Sequence, residues 1–507
     1  MTVRFEPHNR AVHNHGARSS KAWQLYWGII YGSILVTPVL ASLFDRSLIP
    51  AFLAVALFDI CLYPTAHYFA KKEAGIPTLA ILCLAYAIQF AVPFFTSEPT
   101  VLLAGNNIKY IDDVDVTAAL MLSLLGVIVL QIGYYKVSTS KFIRMMPNVN
   151  LHLHEKKAAV YCAVVSVVLL MIGNTESLIP EQFRAQFSSI LGVFQNQAFV
   201  VIGILGWLVY SGRGRKWHKV WLYCIVALMS LRGVSNGMVE QAAVPVAVLL
   251  ITRWMYINRV PFLALSAMLL VILFLSPVKG EFRERLYAGD VPDTSVQSRV
   301  LVWGEQASEY WGSVLSNDRN VYESATTATR RTDFIHQLAH ICSLTPSVIP
   351  YQYGATYSYF AVTLIPRFLW PEKPEAGSAN NFFAVTYGLT TEEGLKKVTF
   401  GMSLLGEGYI NLGWPGVFMI MLLQGAMIST LQRIFGDVHA GPGGRAIFLA
   451  FFVFFLNGIG SSAEILFGNV LQSLLFSCAL LWWARRRHTA KESLTRTHHQ
   501  ASAPAGS

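Results

Sequence analysis

The sequence predicts an all-α polytopic membrane protein with about 12 transmembrane helices, and three observations lead there. The 507 residues are 54% hydrophobic and only 13% charged, with a mean hydropathy of +0.45, too little polar surface to coat a soluble globule of this size. Apolar runs recur at the roughly 20-residue length that spans a bilayer. Cations gather at alternate ends of those runs, as topology determinants do, so the net charge of +10 points to membrane orientation and not to nucleic acid.

Taken in order, windows of about 19 residues place spans near 22–44, 48–70, 77–95, 116–135, 158–174, 188–211, 218–234, 238–255, 260–277, 408–431, 446–460 and 465–484. An even number puts both termini on one side. Lys71 and Lys72, Lys141 and Arg144, Lys156 and Lys157, Arg213 to Lys219, Arg253 and Arg259, Arg433 and Arg445, and Arg485 to Arg487 all fall on that side. The opposite loop from Thr96 to Asp115 carries Asp112, Asp113 and Asp115 instead. The positive-inside rule therefore makes both termini cytoplasmic. Arg4, Arg10, Arg18 and Lys21 precede the first run without a small-residue cleavage site, which predicts a retained span. The seventh and eighth runs are barely sufficient, and the turn from Arg232 to Gly237 between them also fits a half-entering hairpin.

This division gives spans one to nine in 1–277, a large non-cytoplasmic loop at 278–407 between spans nine and ten, spans ten to twelve in 408–484, and a polar cytoplasmic tail at 485–507. The loop is far too long for a passive connection and is the expected seat of function. Cys61, Cys83, Cys162, Cys224 and Cys478 lie in apolar runs and Cys342 is alone in the loop, so no disulfide framework or zinc cluster is expected.

Arg232, Arg283, Arg285, Arg330, Arg331 and Arg367 stand out on the outer side of a chain with little charge. Guanidinium offers a fixed fork of donors matched to phosphate, so the set suits an anion such as a diphosphate. Snorkelling to headgroups, or pairing with Glu281, Glu284 and Asp333, is the structural alternative. From Ile365 to Pro374, three prolines rule out a spanning helix and hold Arg367, Trp370 and Lys373 on stiff irregular backbone, which survives at a membrane only beside protein or a watery cavity. Thr332 to Leu344 reads as an amphipathic helix with Phe334, Ile335, Leu338, Ile341 and Cys342 on one side and Asp333, His336 and His340 on its surface. The two histidines at i and i+4 could hold a metal, act as base or sugar contact, or simply face solvent; no metal site is assigned. Glu407, at the mouth of the tenth span, is a general-base candidate or an arginine's partner, and Glu464 invites the same two readings.

Gly354-Ala355-Thr356-Tyr357, Ile365-Pro366-Arg367 with Trp370-Pro371-Glu372-Lys373-Pro374, and Gly406-Glu407-Gly408-Tyr409 with Asn411-Leu412-Gly413 resemble, in order and topology, the Wzy-type oligosaccharide repeat unit polymerases. That GT-C-like family implies a glycosyltransferase of the bacterial inner membrane that joins undecaprenyl-diphosphate-linked repeats into O-antigen or exopolysaccharide at the periplasmic face. The resemblance is strongest over about 279–416. By position it implies that Lys279-Gly280-Glu281-Phe282-Arg283 opens the large periplasmic loop and that Arg367 belongs to a Pro-Arg element. Leu231-Arg232-Gly233 is similar to the family's Ser-Arg-Gly turn, with Leu in place of Ser. O-antigen ligases have a similar layout and use a loop histidine, a role His336 could match.

In this reading the arginines stabilise the departing diphosphate, Glu407 or His336 takes the acceptor's proton, and Trp370, Tyr357 and Tyr409 stack on sugars or anchor at the interface. Membrane lipids surround the protein, a chain-length-regulating co-polymerase is an expected partner, and no cofactor or nucleotide sugar is called for. An O-antigen ligase and a lipid-linked glycan flippase are the competing readings. A flippase would place ionisable groups and broken helices near the midplane, whereas here they gather at one outer face.

Overall fold

The structure is a computed structural model that describes residues 15–71, 75–141, 145, 149–175, 181–288, 296–316, 332–363, 365, 370, 377–396 and 398–485. Among the described residues, nine helices lead to the insertion: α1 His15–Leu43, α2 Leu48–Lys71, α3 Thr78–Thr96, α4 Asp113–Thr139, α5 Glu155–Thr175, α6 Glu181–Tyr210, α7 Lys216–Ser235, α8 Val239–Ile257 and α9 Phe262–Leu275. Within it lie α10 Lys279–Ala288, α11 Val296–Leu315, α12 Ile335–Leu344, α13 Ala355–Thr363, α14 Ser378–Thr386 and α15 Ser403–Leu412. The chain then returns through α16 Trp414–Leu431, α17 Gly441–Asn457 and α18 Ala463–Ala484.

Among the described residues, seven helices are long and apolar enough to cross a membrane: α1 from Lys21, α2, α3, α4, α16 with its extension to Gly436, α17 with its extension to Gly460, and α18. Shorter apolar helices cover Phe194–Tyr210, Gln241–Ile257 and Phe262–Leu275. On α9 no side chain is buried, and Leu263 is 90% exposed. Exposed leucines along whole helices are tolerable in lipid and not in water, so the chain is an all-α multi-pass membrane protein.

The core forms where α4 packs along α16 and α2, with α17 against α6 and α7 against α8. Hydrogen bonds sort the loops into two ends. At one end, Leu151 N–H donates to Ala440 O (3.0 Å), His154 N–H to Ala484 O (3.1 Å) and Arg445 to Met255 O (3.3 Å), and Arg213 meets Glu155. At the other, Ala104 N–H donates to Gly388 O (2.8 Å) and Tyr353 N–H to Asn411 O (3.0 Å). Because α8 reaches the first end at Met255, its opening turn at Gly237 lies at the second.

Three features differ from the sequence expectation. The span expected at 408–431 starts instead at Trp414, because Gly413 adopts φ 64° and ψ −143° and detaches α15 from α16. A side chain there would collide with Tyr351, and Pro415 suits the new helix's first turn. The loop expected between spans three and four contains a small antiparallel hairpin, β1 Thr100–Leu102 with β2 Ile108–Tyr110. Helix α12 is not surface-lying: Asp333, His336 and His340 are 6%, 1% and 2% exposed, and α12 packs on α4. Its entry is fixed by Phe334, whose N–H donates to Gln89 O at 3.2 Å. Pro93 has no N–H to offer that carbonyl four residues back, which leaves it available.

Candidate functional site

The site is built around Glu407, which is fully buried on α15. Thr356 Oγ1 of α13 donates to its Oε1 at 2.8 Å, and Ala463 N–H donates to its Oε2 at 2.5 Å. Asn411, one turn further along α15, donates through Nδ2 to both Thr356 Oγ1 (2.7 Å) and Glu407 O (2.8 Å), and its Oδ1 accepts the Gly354 N–H at 2.9 Å. Asn380 of α14 accepts Met402 N–H, and Glu464 accepts Ala379 N–H, each at 3.4 Å. Helix α13 and the start of α18 thus meet on the carboxyl that α15 carries, and α14 ties to their neighbours Met402 and Glu464.

Its electrostatics are a contest that burial wins. Ala463 opens α18, so the carboxylate sits where helix-terminal N–H groups favour an anion. Burial nevertheless raises the Glu407 carboxyl to about 7, opposed by the Ala463 and Thr356 hydrogen bonds and reinforced by the charge of Glu464. A carboxyl poised near neutrality can both take and give a proton at ordinary pH. Tyr357, on the same helix as Thr356, is raised by burial and then by the Glu407 charge, which marks it as a near neighbour. Tyr409 lies half-buried with its ring 6.3 Å from that of Tyr351.

The histidines occupy the adjoining helix, where Ile341 of α12 approaches Gly406 of α15. His336 Nδ1 meets Asp333 Oδ2 at 2.7 Å, while its Nε2 is buried without a hydrogen-bond partner among the described residues. His340 is held below its usual value, first by burial and further by the charge of Lys109, against the pull of the Tyr387 carbonyl. The neutral ring donates from Nε2 to Tyr387 O (3.0 Å) and accepts from Lys109 Nζ at Nδ1 (3.3 Å). With both nitrogens engaged, His340 cannot join His336 around a metal.

The arginines gather elsewhere at the same end. Arg232 closes α7, and Gly237, at φ +66°, lets the turn into α8 approach Arg283, whose Cγ would lie 2.7 Å from any added Cβ. Arg285 pairs with Glu281 on α10 at 3.8 Å with both side chains more than half exposed, which is the solvated pairing foreseen as the alternative to anion binding. Arg330, Arg331, Arg367 and Lys373 lie outside the described residues. Of the proline-bracketed segment, Ile365 and Trp370 are described and both are exposed.

The structure therefore brings Glu407 and Tyr357 together, turns Tyr409 toward Tyr351 instead, and sets His336 on the next helix. Arg232 and Arg283 form a separate group: the helix of Arg232 packs chiefly with α8, α6 and α11, and that of Arg283 with α11. Sequence reasoning missed the parts played by Thr356, Asn411, Asn380 and the first amide of α18. Thr356 and Asn411 stand inside the quoted Gly-Ala-Thr-Tyr and Asn-Leu-Gly stretches, and that is the signal that could have found them.

A family profile described as a domain of unknown function (DUF8712) matches residues 111–492. That is more than half of the chain, which belongs to this family; the match takes in Arg232, Arg283, His336 and Glu407. No curated protein and no solved structure matches the chain.

Proposed function

We propose that this member of the DUF8712 family is a glycosyltransferase that polymerises undecaprenyl-diphosphate-linked oligosaccharide repeat units into O-antigen or exopolysaccharide. It acts at the periplasmic face of the bacterial inner membrane, with about 12 spans, both termini cytoplasmic and the 278–407 insertion outside. The observation that carries the reading is Glu407, a buried carboxyl of near-neutral pKa at the end of the bundle where the insertion folds. A structural carboxylate gains from being fully ionised, whereas this one is kept at the edge of titration, as a general base is.

In the proposed reaction the acceptor sugar's hydroxyl oxygen bonds to the anomeric carbon of the donor. The bond from that carbon to the lipid diphosphate breaks, and the acceptor's proton passes to Glu407. Thr356 and Ala463 hold the carboxylate in place, and Asn411 holds Thr356. Helix α13 covers Glu407, so the acceptor enters when α13 is displaced. Arg232 and Arg283 neutralise charge developing on the departing diphosphate. Asp333 fixes the tautomer of His336, which offers its Nε2 to the acceptor from the adjoining helix α12.

The test is reconstitution with purified lipid-linked repeats, with products resolved as a ladder on a gel. Wild type is expected to build the ladder and Glu407→Gln to lose it. Absence of any ladder from the wild type with substrate of proven quality would overturn the reading.

A further inference from the structure

Helix α11 carries Arg299, Trp303 and Gln306 within about 60° of arc, given about 100° of turn per residue. That face is turned inward, with Trp303 and Gln306 0% and 7% exposed, in a small core of its own with Val239, Val278, Phe282 and Ala307. Four of its polar atoms are buried without a hydrogen-bond partner among the described residues: Arg299 Nε, Trp303 Nε1 and both Nε2 and Oε1 of Gln306. Trp311, two turns along the same helix, behaves ordinarily and donates to Phe274 O at 2.9 Å. Buried polar atoms left unmatched oppose folding, and a leucine or methionine at 306 would remove two of them at once.

The surroundings say what would match them. Phe282 stacks on Trp303 at 5.0 Å and 6°, covering the ring's face and leaving its N–H edge. Arg299 also donates to Ser235 O at 3.3 Å, which ties this face to the turn where Gly237 meets Arg283. Two guanidiniums and an indole N–H offer donors alone and suit phosphate oxygens, whereas the Gln306 amide both donates and accepts, as a sugar hydroxyl requires.

We infer that the inward face of α11, through Arg299, Trp303 and Gln306 beside Arg283, binds a glycosyl phosphate, the phosphate on the guanidiniums and a sugar hydroxyl on Gln306. The inference rests on the proposed function in so far as the glycosyl phosphate is lipid-borne. The full-length protein in detergent would be titrated with an undecaprenyl-diphosphate-linked repeat and, separately, with a soluble hexose 1-phosphate, and its thermal unfolding followed with and without each. Wild type should bind the lipid-linked probe more tightly, whereas equal binding of the hexose 1-phosphate would assign the site to a soluble sugar phosphate. Gln306→Met, nearly isosteric, should unfold no earlier than wild type without ligand and bind at least about tenfold more weakly, since a buried polar pair is lost. Arg299→Lys keeps the charge but loses the fork and should weaken binding by less. Wild type that binds neither probe, Gln306→Met that binds as wild type does, or Gln306→Met that loses stability without ligand would each overturn the inference. The ladder assay separates the two proposals: wild type that binds the lipid-linked probe but builds no ladder would sink the polymerase reading while the binding site stands, and Glu407→Gln, which should bind normally, would by building a ladder remove only the role of Glu407 as base.

Discussion

The surroundings of Glu407 and the inward face of α11 are both buried and polar, yet they are finished differently. Both carboxyl oxygens of Glu407 accept a hydrogen bond, and the Asn411 amide is spent on Thr356, Glu407 and Gly354. On α11, four polar atoms of three side chains have no partner among the described residues. The first region is preorganised, with hydrogen bonds that oppose but do not cancel the burial lifting its carboxyl. The second is built to be completed from outside, so a ligand should stabilise it more than any internal substitution can.

The largest expected effect tests the first region. Glu407→Gln keeps the shape and removes the titrating proton, and polymerisation should fall by about 10²-fold or more in the ladder assay. Initial rates of the wild type should rise with pH through about 7, where the carboxyl gains its basic form. Stability runs the opposite way. The folded carboxyl binds its proton more tightly than the unfolded one, whose value is near 4.5, so stability falls from about pH 4.5 to about 7 and then levels. A shift of this size is worth about 3 kcal/mol, and Glu407→Gln should abolish that slope in melts taken across the window.

Next comes Thr356→Val, which takes a donor from Glu407 and an acceptor from Asn411. A loss of about 1–3 kcal/mol is expected in denaturant titrations, and the activity profile should move to higher pH as the carboxyl loses a bond that favours its charge. Gly237→Ala addresses the second region. Its left-handed backbone costs an alanine about 1–2 kcal/mol, and the new Cβ would push on the stem of Arg283, so affinity for the lipid-linked repeat should drop while the Glu407 profile stays put. The smallest effect is expected from Lys109→Met, which frees the hairpin from His340 and Ser343 at about 0.5–1.5 kcal/mol. Because His340 is held below its ordinary value near 6.5, its own contribution to stability falls as pH drops through that region, opposing the larger rise from Glu407, and melts of Glu407→Gln should expose it.

Much of this was legible in the chain. Hydropathy located the long helices to within a few residues, and a carboxylate flanked by glycines beside an apolar run singled out Glu407. The break at Gly413 was written in Gly-Trp-Pro but was outweighed by the apolar window running through it. The hairpin was signalled by Val101 and Ile108 on either side of Gly-Asn-Asn, though three-residue strands are too short for periodicity to declare. The burial of His336 and His340 could not be read locally, because the pattern within α12 gives one apolar face while Lys109 and Tyr387 come from distant loops to satisfy the other. The orphaned atoms of α11 were hidden for the same reason: a Trp and a Gln look like an ordinary amphipathic helix until their neighbours are known.

The bend at Gly413 bears on how the protein is made. A segment is threaded into the bilayer according to its own apolar length, and a carboxylate carried into it, even at its end, would count against insertion. By starting the inserted segment at Trp414, the chain keeps Glu407 out of it: Trp414 to Leu431 carries no charged side chain, and the acid sits on the separate helix α15, against the first amide of α18. The stretch that the translocation machinery reads is clean apolar sequence, and the acid owes its place to contacts with other helices.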